Sequence, residues 1–441
     1  MAAGVPEAAT SDRRRFARWL VAVVAGAFVW RVGYTLGFTA HVEHSIYDAL
    51  YYVLQSEAVV NGKGFVRPLT SLANADHPPL TTLAIAPATW LFGVSSDTAV
   101  QRLTMCVVGS GTVAGIGLLA REVRGWRVGL VAAFIAAIYP NLFMNDGVVM
   151  AESLAALLVT FALYFAFRVR VGATTRAVVG LGVCCGLAAL ARAELILLVP
   201  FVVVPIVLGG TRAEWRSRIR PLASVVAIAV VVIAPWVVRN LVAFEEPALL
   251  STGDGLVLLG ANCDEVYQGS RLGFWSVDCG LAVSDGPDAA IQSRRQRTAA
   301  FDYIGDHLGR VPTVVAARVG RVWGVFRPVQ TVEFSEVEGR PAAAGYAGLV
   351  MYWVLVPFAI AGVVVLRRQR RLLWPLLVPF GIVTLVAALS YGIIRFRVPA
   401  EPSLVVLAAV ALDARWRRRS AAPGEAAVDD QSSAIDASSS S

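Results

Sequence analysis

Lysine is nearly missing from this chain. Of 39 basic residues only Lys63 is a lysine, and charged residues make up 16% of the 441 positions. A soluble chain carries about 25% charged residues to keep its surface wet, so this scarcity excludes an ordinary soluble domain. The formal charge of +8 comes from arginines in short clusters between apolar runs. That arrangement marks loops beside a membrane and argues against a polyanion groove, so no nucleic-acid partner is expected. Histidine is also scarce, at four residues. His41 and His44 with Glu43 resemble half of a metal site, and His307 is the one other histidine expected on the outer side beyond His77's loop, too few ligands to favour zinc. There is no nucleotide-type phosphate loop, the glycines of Ser251–Gly255 being a weak substitute, which argues against a soluble nucleotide donor. No internal repeat is visible. The single lysine, with abundant Ala, Val and Gly, fits a GC-rich genome such as that of an actinobacterium.

What fills the chain instead is hydrocarbon: 57% hydrophobic residues and a mean hydropathy of +0.64. A spanning helix needs about 20 apolar residues, and ten stretches qualify or nearly do: 16–38, 97–120, 128–145, 149–168, 176–191, 193–209, 221–243, 344–366, 372–391 and 397–413. Two of them, 176–191 and 193–209, read as a short, tightly joined hairpin. The basic clusters at 13–18, 121–127, 168–176, 211–220, 367–371 and 415–419 fall on one side if residues 80–94, led by Pro78 and Pro79, form an interfacial or re-entrant helix. The positive-inside bias makes that side the cytoplasm.

The expected architecture is an all-α polytopic protein of the plasma (inner) membrane. Residues 1–15 form a cytoplasmic N-terminus, followed by an uncleaved first span. A membrane module covers 16–243, with a first outer loop at 39–96. A second outer loop covers 244–343, and C-terminal helices cover 344–413. The tail, 414–441, is too polar to bury a core. In the first outer loop, residues 47–62 read as an amphipathic surface helix with Leu50, Val53, Leu54 and Ala58 on its apolar side. Cys263 and Cys279 share the second outer loop, where the compartment permits a disulfide. Cys106, Cys184 and Cys185 lie in apolar stretches and read as packers.

The chemistry-bearing residues gather at the outer ends of spans. Asp48 opens the surface helix; alone it would pass for an interfacial carboxylate. Glu152 opens the fourth span, where a negative charge suits a helix N-terminus. An acid so near hydrocarbon is also costly and typically functional. Asp146 is near enough in sequence to partner or replace it. Arg31, Arg102, Arg192, Arg239, Arg395 and Arg397 all map to the outer halves or ends of spans, against the positive-inside bias. Each could pair with a carboxylate such as Glu194 or Glu401. Together they suggest an anion, and guanidinium forks match phosphate oxygens. His77, between Asp76 and the Pro-Pro pair, reads either as a structural histidine or as part of that site. A lipid or solute transporter is the alternative reading, but transporters typically show repeats and broken helices at the midplane.

In order and spacing, D-A-L-Y-Y…N-G-K-G-F at 48–65, D-H-P-P-L at 76–80, A-E-S-L at 151–154, P-W-V-V-R-N at 235–240 and R-F-R-V-P-A-E-P at 395–402 resemble the family 39, GT-C-type membrane glycosyltransferases. That group includes the protein O-mannosyltransferases and the lipid A aminoarabinose transferases. The resemblance covers about 20–410 apart from most of the second outer loop. It implies a polyprenyl-phosphate monosaccharide donor, transfer on the extracytoplasmic face and inversion at the anomeric carbon. It implies that Asp48 and Glu152 are the two acidic site positions and that His77 lies near the lipid phosphate. The first motif departs from the mannosyltransferases in reading Asp-Ala where they have Asp-Glu. Their large soluble domain has no counterpart, so the acceptor stays open between envelope glycan, lipid and protein. No cofactor is required by these residues; a divalent metal, if one is used, would fall between Asp48 and Glu152.

Overall fold

The computed structural model describes residues 7–39, 48–67, 71–95, 98–208, 215–284 and 288–417. The His41–His44 pattern and the polar tail beyond residue 417 lie outside the described residues. Within them the chain is helical, with no strand beyond a single antiparallel bridge between Val66 and Ala73. As expected from its composition, this is an all-α polytopic membrane protein.

The membrane module begins with α1 (Glu7–Tyr34), which ends in a π turn at Thr35–Thr39. It continues through α2 (Asp48–Val60), α3 (Leu80–Phe92), α4 (Ala99–Arg124), α5 (Trp126–Ile138), α6 (Pro140–Asp146), α7 (Ala151–Val171) and α8 (Thr175–Ala191). After 3-10 and π turns over 193–203, α9 (Val204–Leu208) and α10 (Trp215–Ala243) complete it. The stretch between α10 and the later helices folds, in its described residues, as six helices: α11 (Asp254–Gly260), α12 (Asp264–Tyr267), α13 (Val277–Leu281), α14 (Ala289–Asp306), α15 (Val311–Val322) and α16 (Pro328–Val337). The chain then re-enters the bundle through α17 (Ala342–Arg368), α18 (Trp374–Leu389), a 3-10 turn at Ile394–Ala400 and α19 (401–417).

Five of the ten expected spans are long and apolar enough to cross a membrane: Asp12–Thr39, Ala99–Arg124, Ala151–Val171, Arg218–Ala243 and Ala342–Arg368. A sixth results if α5 and α6 count as one span. These two are bent by 56°, because Tyr139 is extended and Pro140 has no amide hydrogen to continue the ladder. Thr175–Ala191, Ala193–Val207 and Trp374–Leu389 are apolar but shorter. Residues 80–94 do form a short helix, α3, with Trp90, Leu91 and Phe92 exposed at its end.

Small residues let the helices approach one another. A Cβ on Gly129 of α5 would stand 2.7 Å from the Gly117 carbonyl oxygen of α4, and one on Gly362 of α17 would stand 1.9 Å from the Leu407 carbonyl oxygen of α19. Between helices in lipid, packing of this kind supplies much of the association energy. A disulfide joins Cys263, before α12, to Cys279 in α13, with an S–S distance of 2.08 Å.

The surface helix differs from its sequence reading. Tyr52, Val53, Gln55 and Ser56 form the buried side of α2, so Val53 alone of the expected stripe is fully buried. Two of these are polar, yet each finds a partner: the hydroxyls of Ser56 and Thr89 lie 2.9 Å apart, and Gln55 donates to the Gly64 carbonyl at 3.1 Å. Paired polar groups are tolerated inside a protein, so α2 packs on α3 with a mixed face that hydropathy alone does not reveal.

Candidate active site

The ends of four separate segments bring charged side chains to one place. Asp48 is the first residue of α2, Glu152 lies in the first turn of α7, Arg192 follows α8, and Arg395 sits in the 3-10 turn before α19. His77 comes from the loop before α3, and that loop is tied down from outside. Thr252 donates its amide to the Ala75 carbonyl at 2.7 Å, and Ser251 donates its hydroxyl to the Asp76 carbonyl at 2.6 Å. Gly253 is needed there, since a Cβ would lie 2.4 Å from the Asp76 oxygen.

Arg395 is the hub. Its Nη1 donates to Asp48 Oδ2 at 2.7 Å and lies 3.8 Å from Glu152 Oε1; its Nε lies 3.3 Å from Glu338 Oε1, and its Nη2 donates to the Tyr391 hydroxyl at 3.3 Å. Arg192 is clamped between Glu152 at 2.9 Å and Glu194 at 2.6 Å. Arg340 pairs with Glu338 and donates to Asn145 Oδ1 at 3.0 Å. His77 Nε2 stands 3.6 Å from Asp48 Oδ1, too far for a hydrogen bond, and its ring packs against those of Tyr51 and Tyr52. Glu152 and Glu338 are almost wholly enclosed, whereas the side chains of Asp48 and His77 are 26% and 33% exposed. The cluster therefore opens to solvent at Asp48 and His77.

Burial alone would raise the pKa of Asp48. The Arg395 guanidinium, helped by His77 and by the hydrogen bond from Arg395, outweighs that effect and holds the carboxyl down at about 2. Asp48 is thus ionised at any ordinary pH. Breaking such a network by removing one partner is costly because it strands the remaining charge.

Of the residues singled out from sequence, Asp48, Glu152, His77, Arg192 and Arg395 converge here. Arg31, Arg102, Arg239 and Arg397 do not. Arg31 pairs with Asp146 at 2.7 Å and caps the carbonyls of Ala27, Ala136 and Ala137. Asp146 also accepts from Ser153, which separates it from Glu152. Arg102 donates to Thr98 and to the carbonyls of Thr39 and Gly147. Arg239 lies over Trp236 and donates to the carbonyls of Phe65 and Asn74, holding the segment between α2 and α3. Arg397 pairs with Glu401 at 2.6 Å and stacks on Tyr352. Arg31, Arg102 and Arg239 are thus each held by nearby acceptors, whereas Arg397 is paired through Nε alone, its two buried Nη groups making no hydrogen bond among the described residues.

Sequence reasoning missed Glu338, Arg340 and Tyr391. The Glu-Gly-Arg-Pro run at 338–341, an acid and a base just ahead of a span, was the available signal for the first two. Among the described residues no three His, Cys, Asp or Glu side chains gather as metal ligands would. Between Asp48 and Glu152, the pair a metal would bridge, stands the Arg395 guanidinium. These residues as arranged do not make a metal cage.

Residues 76–238 match the family described as dolichyl-phosphate-mannose-protein mannosyltransferase. No curated protein matches the chain in sequence. Among solved structures, the chain is similar to the oligosaccharyltransferase AglB from Archaeoglobus fulgidus in complex with an inhibitory peptide and a dolichol-phosphate. That match has a TM-score of 0.50 and 15% identity, covering 91% of this chain and 50% of the other. A second structure of the A. fulgidus oligosaccharyltransferase, with Zn and sulfate, gives 0.54 and 16%, covering 90% and 49%. ArnT from Cupriavidus metallidurans bound to undecaprenyl phosphate gives 0.42 and 16%, covering 89% and 77%. The chain thus spans about half the length of the oligosaccharyltransferases it matches.

Proposed function

From the GT-C superfamily fold that this chain carries, we propose that it is a membrane glycosyltransferase. In this reading it moves one sugar from a polyprenyl-phosphate donor to an acceptor hydroxyl on the extracytoplasmic face, with inversion. The observation that carries this reading is the juxtaposition of a partly open carboxylate, Asp48, with the Arg395 guanidinium. One can accept a proton and the other can meet a phosphate. The dolichol-phosphate bound by AglB and the family matched by residues 76–238 support a lipid-linked donor.

The reaction asks for two things. As the acceptor oxygen attacks the anomeric carbon it must lose its proton, a task for a general base. As the glycosidic bond breaks, negative charge grows on the departing phosphate and needs preplaced cations. Asp48 suits the first role, and Arg395, with His77 near the other Asp48 oxygen, suits the second. Arg192 and Arg340, each already tied to glutamates, hold Glu152 and Glu338 in position around Arg395. The inverted stereochemistry follows if attack and departure occur on opposite faces of the sugar in one displacement.

The test is transfer by the purified full chain in liposomes, using radiolabelled sugar on a polyprenyl phosphate and a membrane extract as acceptor. Label should leave the lipid for the acceptor. Movement of intact lipid or solute across the bilayer without any transfer would replace this reading with the transporter.

A further inference from the structure

Arg395 has more anionic partners than one guanidinium can serve equally: Asp48 at 2.7 Å, Glu338 at 3.3 Å and Glu152 at 3.8 Å. It is also the one guanidinium among the described residues within ion-pair distance of Asp48. The other two in the cluster are committed elsewhere, Arg192 to Glu152 and Glu194, and Arg340 to Glu338 and Asn145. Four carboxylates face three guanidiniums and His77, so an incoming phosphate finds every arginine of the cluster already paired.

This arrangement suits a resting site better than a reacting one. Proton transfer is most efficient when the base titrates near the working pH. A carboxylate locked to a guanidinium at 2.7 Å is a weak base, however well placed. For Asp48 to work, something must take Arg395 away from it, and the phosphate of the donor is an anion of the right kind for a guanidinium fork. The Arg395–Glu338 contact is an ion pair at Nε, and both Nη groups are hydrogen-bonded within the site, Nη1 to Asp48 and Nη2 to the Tyr391 hydroxyl, so re-aiming the fork toward a phosphate breaks the Asp48 bond and leaves Glu338 beside Nε.

We propose that Arg395 is handed from Asp48 to the donor phosphate, so that Asp48 becomes free to take a proton only once the donor is bound. This rests on the polyprenyl-phosphate reading above. In the step that follows, the acceptor O–H proton passes to an Asp48 carboxylate oxygen, and the electron pair left on the acceptor oxygen forms the new bond to the anomeric carbon. The old bond from that carbon to the phosphate oxygen breaks, its pair remaining on the phosphate against Arg395. Donor binding and base activation thereby become one event. The charged and titratable groups that face Asp48 are Arg395 and Tyr391 from the 390–400 segment, His77 before α3, Arg192 after α8, Glu152 on α7, and Tyr51 and Tyr52 on its own helix. Of these, Arg395 makes the closest charged contact.

The experiment is an infrared titration of the full chain carrying 13C-carboxyl aspartate, with Asp48→Asn supplying the subtraction that isolates Asp48. It is run with and without undecaprenyl phosphate, which has no sugar to transfer, and native mass spectrometry reports lipid binding in parallel. In the wild type the Asp48 midpoint should rise by about one to three pH units when the lipid binds, the usual effect of withdrawing a close opposite charge. In Arg395→Gln it should already be high without lipid and move little on its addition. Arg395→Lys, which keeps a charge at that position, should stay low without lipid and guards against a general folding defect. A wild-type midpoint that stays put while lipid is bound overturns the hand-off. So does a lipid-induced rise of equal size in Arg395→Gln, which would trace it to the charge of the phosphate alone. Absence of lipid binding by the folded wild type would instead remove the donor reading, and the hand-off with it.

Discussion

Replacing Asp48 by asparagine should push catalysis and donor binding in opposite directions. The amide keeps the size and hydrogen-bonding reach of the carboxylate but cannot take a proton, so transfer should fall about 100- to 10,000-fold, the usual worth of a general base. Donor binding should tighten, because Arg395 loses an anion that competes with the phosphate. A hydrogen bond to a charged group contributes about 1.5–3 kcal/mol when well shielded. Asp48 is a quarter exposed, and solvent screening reduces that to about 1 kcal/mol, or roughly fivefold in affinity. The fold should survive, since the amide keeps the carboxylate's size and Arg395 keeps Glu338 and Glu152 within ion-pair distance. The measurements are transfer in liposomes and binding of undecaprenyl phosphate to the same preparation. Near wild-type transfer would remove Asp48 as the base and move the assignment to Glu152. Reduced transfer together with weaker lipid binding would refute the competition for Arg395.

Three further outcomes follow from particular contacts. The folded-state pKa of Asp48 is lowered to about 2, so its ion pair with Arg395 is fully present above the unfolded value near 4 and is lost only as pH falls through about 2. The kcat/KM profile should therefore show no acid limb from Asp48 above about pH 4, and a limb in that range that persists in His77→Gln would contradict the pairing. Digestion without reductant should yield a peptide linking Cys263 to Cys279, and Cys263→Ser should lower stability by about 3 kcal/mol for a loop of this length; an unchanged unfolding midpoint would show that the loop is held without it. Gly362→Ala gains up to about 1 kcal/mol in helix propensity but drives a methyl to 1.9 Å from the Leu407 carbonyl. Overpacking of this sort costs about 1–3 kcal/mol, so thermal unfolding should move down, and an upward shift would mean that α17 and α19 can part freely.

The membrane architecture was legible in the sequence because hydropathy is a local, additive property of about 20 consecutive residues. The same reasoning isolated Asp48, His77, Glu152, Arg192 and Arg395, since charge beside hydrocarbon is rare enough to be noticed one residue at a time. It also drew in Arg31, Arg102, Arg239 and Arg397, which look the same by that criterion. The apolar stripe expected on α2 failed for a related reason: Gln55 and Ser56 are buried where the Gln55 amide nitrogen meets the Gly64 carbonyl and the Ser56 hydroxyl meets Thr89, and a partner's identity is not written in a residue's own hydropathy.

By itself, then, the sequence determined that the chain is an all-α membrane protein with polar chemistry at the ends of its spans. Only the tertiary structure decided which of those charges meet. Asp48 and Arg395 are 347 positions apart yet 2.7 Å from one another, while Arg397, two residues further on, turns to Glu401. Glu338 and Arg340, unremarkable where they stand in the chain, enter the cluster because the α16–α17 turn places them against Arg395 and Asn145. Electrostatic pairing depends on separations of a few ångströms, and those are set by how α7, α8, α17 and the 390–400 segment pack together.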